Sequence, residues 1–190
     1  MADKIKTTAS ALGKIIDGKI AKAGNENLKK NWTRERAKFI ATGYAGFFAE
    51  NEIDPKAVEG LAIYAAQKVR RLIGFAKGLG DKIDPYTANT LRNAFALKDK
   101  EVKFTTELQM AGLCRSVEAA ERTKLVETRH SDRSTANTQT CSTRAALEAI
   151  GALKVTKEDG KRVLDIDFEH PVVKAVVNPE VTKDEEKAEA

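Results

Sequence analysis

Rare chemistry-bearing side chains are almost missing from this 190-residue chain: two cysteines, two histidines and one tryptophan. Cys114 and Cys141 are too few for a disulfide framework, so a reducing compartment is the expectation. With His130 and His170 they show no metal-ligand spacing. The longest stretch without charge, Phe39 to Ala49, runs 11 residues, whereas a bilayer-crossing helix needs about 20 apolar residues. The lysines near the N-terminus are not followed by an apolar block and cleavage motif, so no secretion signal is expected. Nor do the glycines build a phosphate cradle: Gly78-Leu79-Gly80 follows a helical pattern instead of opening one. His130-Ser131-Asp132 sets triad residue types side by side, but triads are assembled in space and adjacency carries no weight. The sequence thus predicts no enzyme, cofactor, metal, membrane or small-molecule substrate. The expected location is the cytoplasm, or a particle assembled there.

What is present is charge, unevenly spread. Hydrophobic residues make up 42% and charged residues 32%, which suits a globular chain able to bury a core. Residues 1–100 hold 19 Lys and Arg against 11 Asp and Glu, while residues 101–190 hold 14 against 17. A basic front and an acidic end fit a polyanion partner, or contact between copies of the chain.

The periodicity predicts a mainly α fold: a bundle of five or six helices with one C-terminal β-hairpin. The best-specified stretch is Asp54 to Gly80, read as one core helix. Asp54 caps it, Pro55 takes its first position, and Val58, Leu61, Ala65, Val69, Leu72 and Ile73 fall on one face. A first helix is expected over 3–23 and a second from Thr33 to Glu50, capped by Thr33. Another follows Ile83-Asp84-Pro85, and a longer one starts at Thr106 with Gln109 completing a capping box. The last loses its apolar face after Ala120.

Residues 131–142 (SDRSTANTQTCS) are nearly all polar and are expected to form an exposed loop. The helical domain would then end near residue 130, followed by a small helix–hairpin–helix appendage over 143–179 and an acidic tail over 180–190. In that appendage Ser142 caps a short helix. Leu153, Val155, Leu164 and Ile166 then alternate with polar residues around Lys157-Glu158-Asp159-Gly160, and Pro171 opens a last helix. A helix followed directly by a hairpin, Ser142 to Phe168, resembles the second half of a winged-helix domain, with Lys161 and Arg162 on the wing. That resemblance implies DNA reading.

Candidate binding residues fall in three groups. Lys29, Lys30, Arg34 and Arg36 crowd the start of the second helix, where cations oppose the helix dipole. Tyr64, Lys68, Arg71 and Phe75 make a mixed stripe on the organising helix. Aromatics interleaved with cations suit nucleic acid, although the same residues can widen a core face while the cations snorkel. Arg115, Arg122 and Arg129 repeat every seven residues, with Arg133 beyond them. The expected function is nucleic-acid association through a basic helical surface. The alternative is a structural subunit of a viral or phage particle that self-associates or binds a partner subunit. The arm from Glu121 to Ser142 is the expected contact element, and Arg122, Arg129 and Arg133 should be replaceable by alanine without loss of stability.

Overall fold

The computed structural model describes residues 1–178, so the expected acidic tail over 180–190 and the stop near Pro179 lie outside the described residues. The expectation of a mainly α fold with one C-terminal hairpin holds, with eight α-helices among the described residues. They are α1 (Ala2–Ala21), α2 (Glu26–Phe39), α3 (Thr42–Glu50), α4 (Ile63–Ala76), α5 (Pro85–Lys98), α6 (Thr106–Leu113), α7 (Arg133–Ala149) and α8 (Pro171–Val177). Strands β1 (Leu153–Glu158) and β2 (Lys161–Ile166) lie between α7 and α8.

Two expected helices are each divided. Asp54 does cap, accepting from the Lys56 N–H, but it opens only one 3-10 turn, Pro55–Val58. The chain then turns extended at Ala62, and α4 starts at Ile63. Val58 and Leu61 are buried as their spacing implies. They sit in a turn under α1, held where the Lys19 ammonium donates to the Leu61 carbonyl at 3.0 Å. Similarly, α2 starts seven residues before Thr33. Asn25 caps it, accepting from the Leu28 N–H at 2.8 Å, and Thr33 is an interior residue bonded to the Lys29 carbonyl. An extended Ala41 separates α2 from α3. Arg36 and Lys38 therefore end a helix, where cations favour the dipole, instead of starting one.

Helix α4 remains the centre, packed against α2, α3, α7 and α8. Its Val69, Leu72 and Ile73 join one apolar core with Leu12 and Ile16 of α1 and Phe47 and Phe48 of α3. Leu147 of α7 and Val172 and Val173 of α8 belong to the same core.

The largest departure is at α7. Residues 133–142, expected in a loop, are its first ten residues, and Ser142 is interior and caps nothing. Asp132 is the cap, accepting from the Thr135 N–H at 2.8 Å and the Thr135 hydroxyl at 2.7 Å. Ala136, Thr140, Thr143 and Leu147 recur at helical spacing and are buried. The hydroxyls can be buried because the helix itself satisfies them: Thr140 Oγ1 donates to the Asn137 carbonyl and Ser142 Oγ to the Gln139 carbonyl.

Helix α6 is capped by Thr105, not Thr106, and stops at Leu113, so no long helix projects from it. In the hairpin, Leu153 faces Ile166 and Lys157 faces Arg162. Asp159 and Gly160 both have positive φ, the geometry of a tight two-residue hairpin turn. A third edge is added where Thr105 bridges Val163 and the Leu164 N–H donates to the Phe104 carbonyl at 2.8 Å. His170 caps α8: Nδ1 accepts from the Val172 N–H at 3.3 Å, so the proton sits on Nε2, which donates to the Ile150 carbonyl at 3.0 Å. Burial pushes its pKa below the ordinary value.

Candidate nucleic-acid interface

The stripe predicted on the organising helix does not form one surface. Tyr64 is exposed, but Lys68 is only 4% exposed and Arg71 and Phe75 are half-buried. The Lys68 ammonium donates to Asp84 Oδ1 at 2.6 Å and to Thr87 Oγ1 at 3.1 Å. Thr87 Oγ1 in turn lies 3.3 Å from Thr143 Oγ1 of α7. A buried ammonium with these partners ties α4 to α5 and α7 and is not available to a phosphate. Arg70 also turns inward. Its guanidinium bridges Glu35 of α2 and Asp81, and Asp81 accepts from the Tyr44 phenol.

The arginine heptad fails for a different reason, since its residues share no helix. Arg122 lies on a single 3-10 turn and points back to the end of α6, where its two terminal nitrogens donate to the Ala111 carbonyl at 2.8 Å and the Cys114 carbonyl at 3.3 Å. It satisfies carbonyls that the helix end leaves open. Arg122→Ala is therefore expected to cost about 1.5–3 kcal/mol, the range for hydrogen bonds to a charged group. A urea midpoint that stays at the wild-type value would show the contact is dispensable. Arg129 pairs with Glu127 at 3.1 Å and lies over the Tyr86 ring. Its segment is held by the Asn93 carboxamide, whose oxygen accepts from the Val126 and Glu127 N–H groups and whose nitrogen donates to the Glu127 carbonyl. The expected contact arm is thus fastened to α5 and α6. Arg115 and Arg133 are exposed.

On α2, Lys29 lies 3.8 Å from Glu26, and Arg36 makes a forked pair with Asp17 at 2.6 and 3.0 Å. Lys30 and Arg34 are exposed and make no ion pair among the described residues.

The arrangement that sequence reasoning missed is the outer face of α7. Ser134, Asn137, Thr138, Cys141 and Glu148 are exposed along it, and Arg133 begins the helix. Over its first two turns this face has no acidic side chain. A groove of about 240 Å³ separates the helix from the hairpin, lined by Cys141, Arg144, Ala145, Glu148, Val155 and Arg162. Arg144 Nη2 reaches Cys141 Sγ at 3.3 Å. Across the groove the hairpin exposes Lys157 and Arg162, neither in an ion pair among the described residues. Lys103 and Lys161 are turned to Glu158 and Glu107. The signal that could have revealed α7 was the helical spacing of Ala136, Thr140, Thr143 and Leu147 behind Asp132.

No family model, curated protein or solved structure matches this chain. Among the described residues no three His, Cys, Asp or Glu side chains gather as a metal site, and no helix is long and apolar enough to cross a membrane. The surfaces that stand out chemically are the α7–hairpin face and the free cations of α2.

Proposed function

We propose that the chain binds duplex DNA, with the outer face of α7 in the major groove and the hairpin cations on flanking phosphates. The observation that carries this reading is connectivity. From α5 onward the order is helix, an extended segment at Phe104–Thr105, helix, helix, then hairpin, and the extended segment touches β2 through the single Thr105–Val163 bridge and the Leu164 N–H to Phe104 carbonyl bond. That is the order of a winged-helix unit, extending the resemblance first suggested by the helix and hairpin alone. In that order α7 corresponds to the reading helix of such a unit, whose N-terminal residues meet base edges, and this correspondence supports the reading. Ser134, Asn137 and Thr138 supply neutral donors and acceptors there, as base-edge contacts need. The unit departs from the usual pattern in one place: residues 114–132 join α6 to α7 where a tight turn would be expected.

Cys141 makes the reading testable without a label, because it is exposed on this face while Cys114 is buried. Duplex DNA of about two turns should slow alkylation of Cys141 severalfold at low salt, and the protection should vanish as salt rises. Arg133→Ala with Arg162→Ala should reduce the slope of log K against log salt by about 2, since each phosphate contact contributes roughly 0.9. Protection that grows with protein concentration in the absence of DNA would instead favour a self-assembling particle subunit. Unprotected Cys141 in a DNA complex would sink the α7 reading.

A further inference from the structure

The geometry points to a second polyanion surface on α2, placed so that one chain holds two duplex segments together. This rests on the reading of α7 for the first segment. Lys30, Arg34 and Lys38 are exposed and stand four residues apart, so they form one row on the helix. The buried residues of α2, Trp32, Glu35 and Phe39, lie on the opposite side, so the row points away from the core. Both acidic residues of α2 are engaged elsewhere: Glu26 with Lys29, and Glu35, buried, with Arg70. None of the three cations of the row has a carboxylate within ion-pair distance among the described residues. Beyond the exposed Glu26, which begins the same four-residue series and pairs with Lys29, the row carries only cations, by contrast with Lys29 and Arg36 on its flanks, which are paired.

Spacing and placement decide what that row fits. Steps of four residues are about 6 Å along the axis, close to two nucleotide rises of about 3.4 Å on one strand. A row of free cations at that interval complements a phosphate backbone and carries no means of reading bases. Position decides the rest. Arg70, which holds α2, and Lys68, which faces α5 and α7, are two residues apart on α4 and so lie on opposite flanks of it. The outward faces of α2 and α7 consequently lie on different sides of the molecule, and a single short duplex cannot lie on both. Binding at α2 is sequence-independent and salt-steep, while α7 supplies any sequence preference.

The test mixes the full chain with two short duplexes, one carrying a donor dye and the other an acceptor. Cys141 alkylation is followed in the same samples. The wild type should bring the duplexes together, giving energy transfer while Cys141 is protected. K30Q/R34Q/K38Q, changing only exposed side chains, should abolish transfer, keep the protection, and lower the salt slope of total binding by about 3. Transfer that survives in this variant would overturn the inference, because bridging would then come from self-association or another surface. Absence of transfer in the wild type with Cys141 protected would overturn it too, leaving the α7 reading intact. DNA binding that depends on the α2 row while Cys141 stays unprotected would overturn both bridging and the α7 reading, leaving α2 as a single anion site.

Discussion

Gly74→Ala is expected to destabilise the protein by about 3–5 kcal/mol, the loss seen when one partner of a buried ion pair is removed. Gly74 is buried on α4, and a Cβ there would lie 2.7 Å from Asp81 Cγ and 2.8 Å from Asp81 Cβ, inside van der Waals contact. The neighbour cannot simply give way. One Asp81 oxygen is held by the Arg70 guanidinium and the other by the Tyr44 phenol. Displacing it leaves Tyr44, only 4% exposed, without its acceptor. An unsatisfied buried polar group alone costs about 1–3 kcal/mol. Urea unfolding checks the size, and a double-mutant cycle checks the cause. With Asp81→Gly already present, which removes both the carboxylate and the Cβ, the same glycine change should become neutral or gain up to about 1 kcal/mol, because alanine is the better helix former. An equal loss in both backgrounds would show that the Asp81 carboxylate is not the obstacle. Burial, helped by the Asp81 hydrogen bond, pushes the Tyr44 phenol up to about 12 from 10.0. Its contribution to stability is thus complete below pH 10 and lost as pH rises to about 12.

Asp84→Ala should cost a similar amount, about 3–5 kcal/mol at neutral pH, because it leaves the Lys68 ammonium buried without its carboxylate. Asp84 also caps α5, accepting from the Thr87 N–H at 3.0 Å and the Thr87 hydroxyl at 2.6 Å. Loss of a cap alone would cost only about 0.5–2 kcal/mol. A loss confined to that range would mean the ion pair adds nothing. Replacing both charges together, Lys68→Met with Asp84→Asn, should be milder than Asp84→Ala, since no buried charge is then left alone.

The pH dependence gives the same pair a second signature. Burial opposes ionisation of Asp84, but Lys68 and the Thr87 bonds overcome it and hold the carboxyl below its ordinary 3.8. Its stabilisation is present above pH 3.8 and lost as pH falls through the lower, folded value. The alanine variant should lack that acid limb. Burial also pushes Lys68 below its ordinary 10.5 despite Asp84. Between the folded value and 10.5 the unfolded chain binds more protons, so stability rises with pH there. Without Asp84 that window widens downward, and the deficit of the variant should shrink from neutral to alkaline pH.

Local chemistry made several elements legible in advance. The Asp84-Pro85 cap opens α5, the Asp159-Gly160 turn with alternating Leu164 and Ile166 makes the hairpin, and Pro171 starts α8. Each signal lies within a few residues of what it specifies, so no distant partner is needed to read it. Helix α7 was not legible because hydrophobic periodicity counts apolar surface. Its inward face uses Thr140 and Thr143, with Ser142 beside them, and their hydroxyls can be buried once the helix or a neighbour satisfies them.

The candidate interface divides along the same line. That the front half is basic, and that Lys30, Arg34 and Arg133 are cations, follows from sequence alone. Which cations are free does not. Lys68 and Arg70 carry the same charge as Lys30 and Arg34, but their carboxylates come from Asp84, Asp81 and Glu35, segments that only the packed helices bring within reach. Arg122 has the sequence context of a surface arginine and finds the open carbonyls at the end of α6. Composition and local signals determined α1, α5, α8, the hairpin and the sign of the charge. Tertiary structure decided where that charge is spent, because an ion pair or a helix cap depends on distances of a few ångströms between residues far apart in the chain.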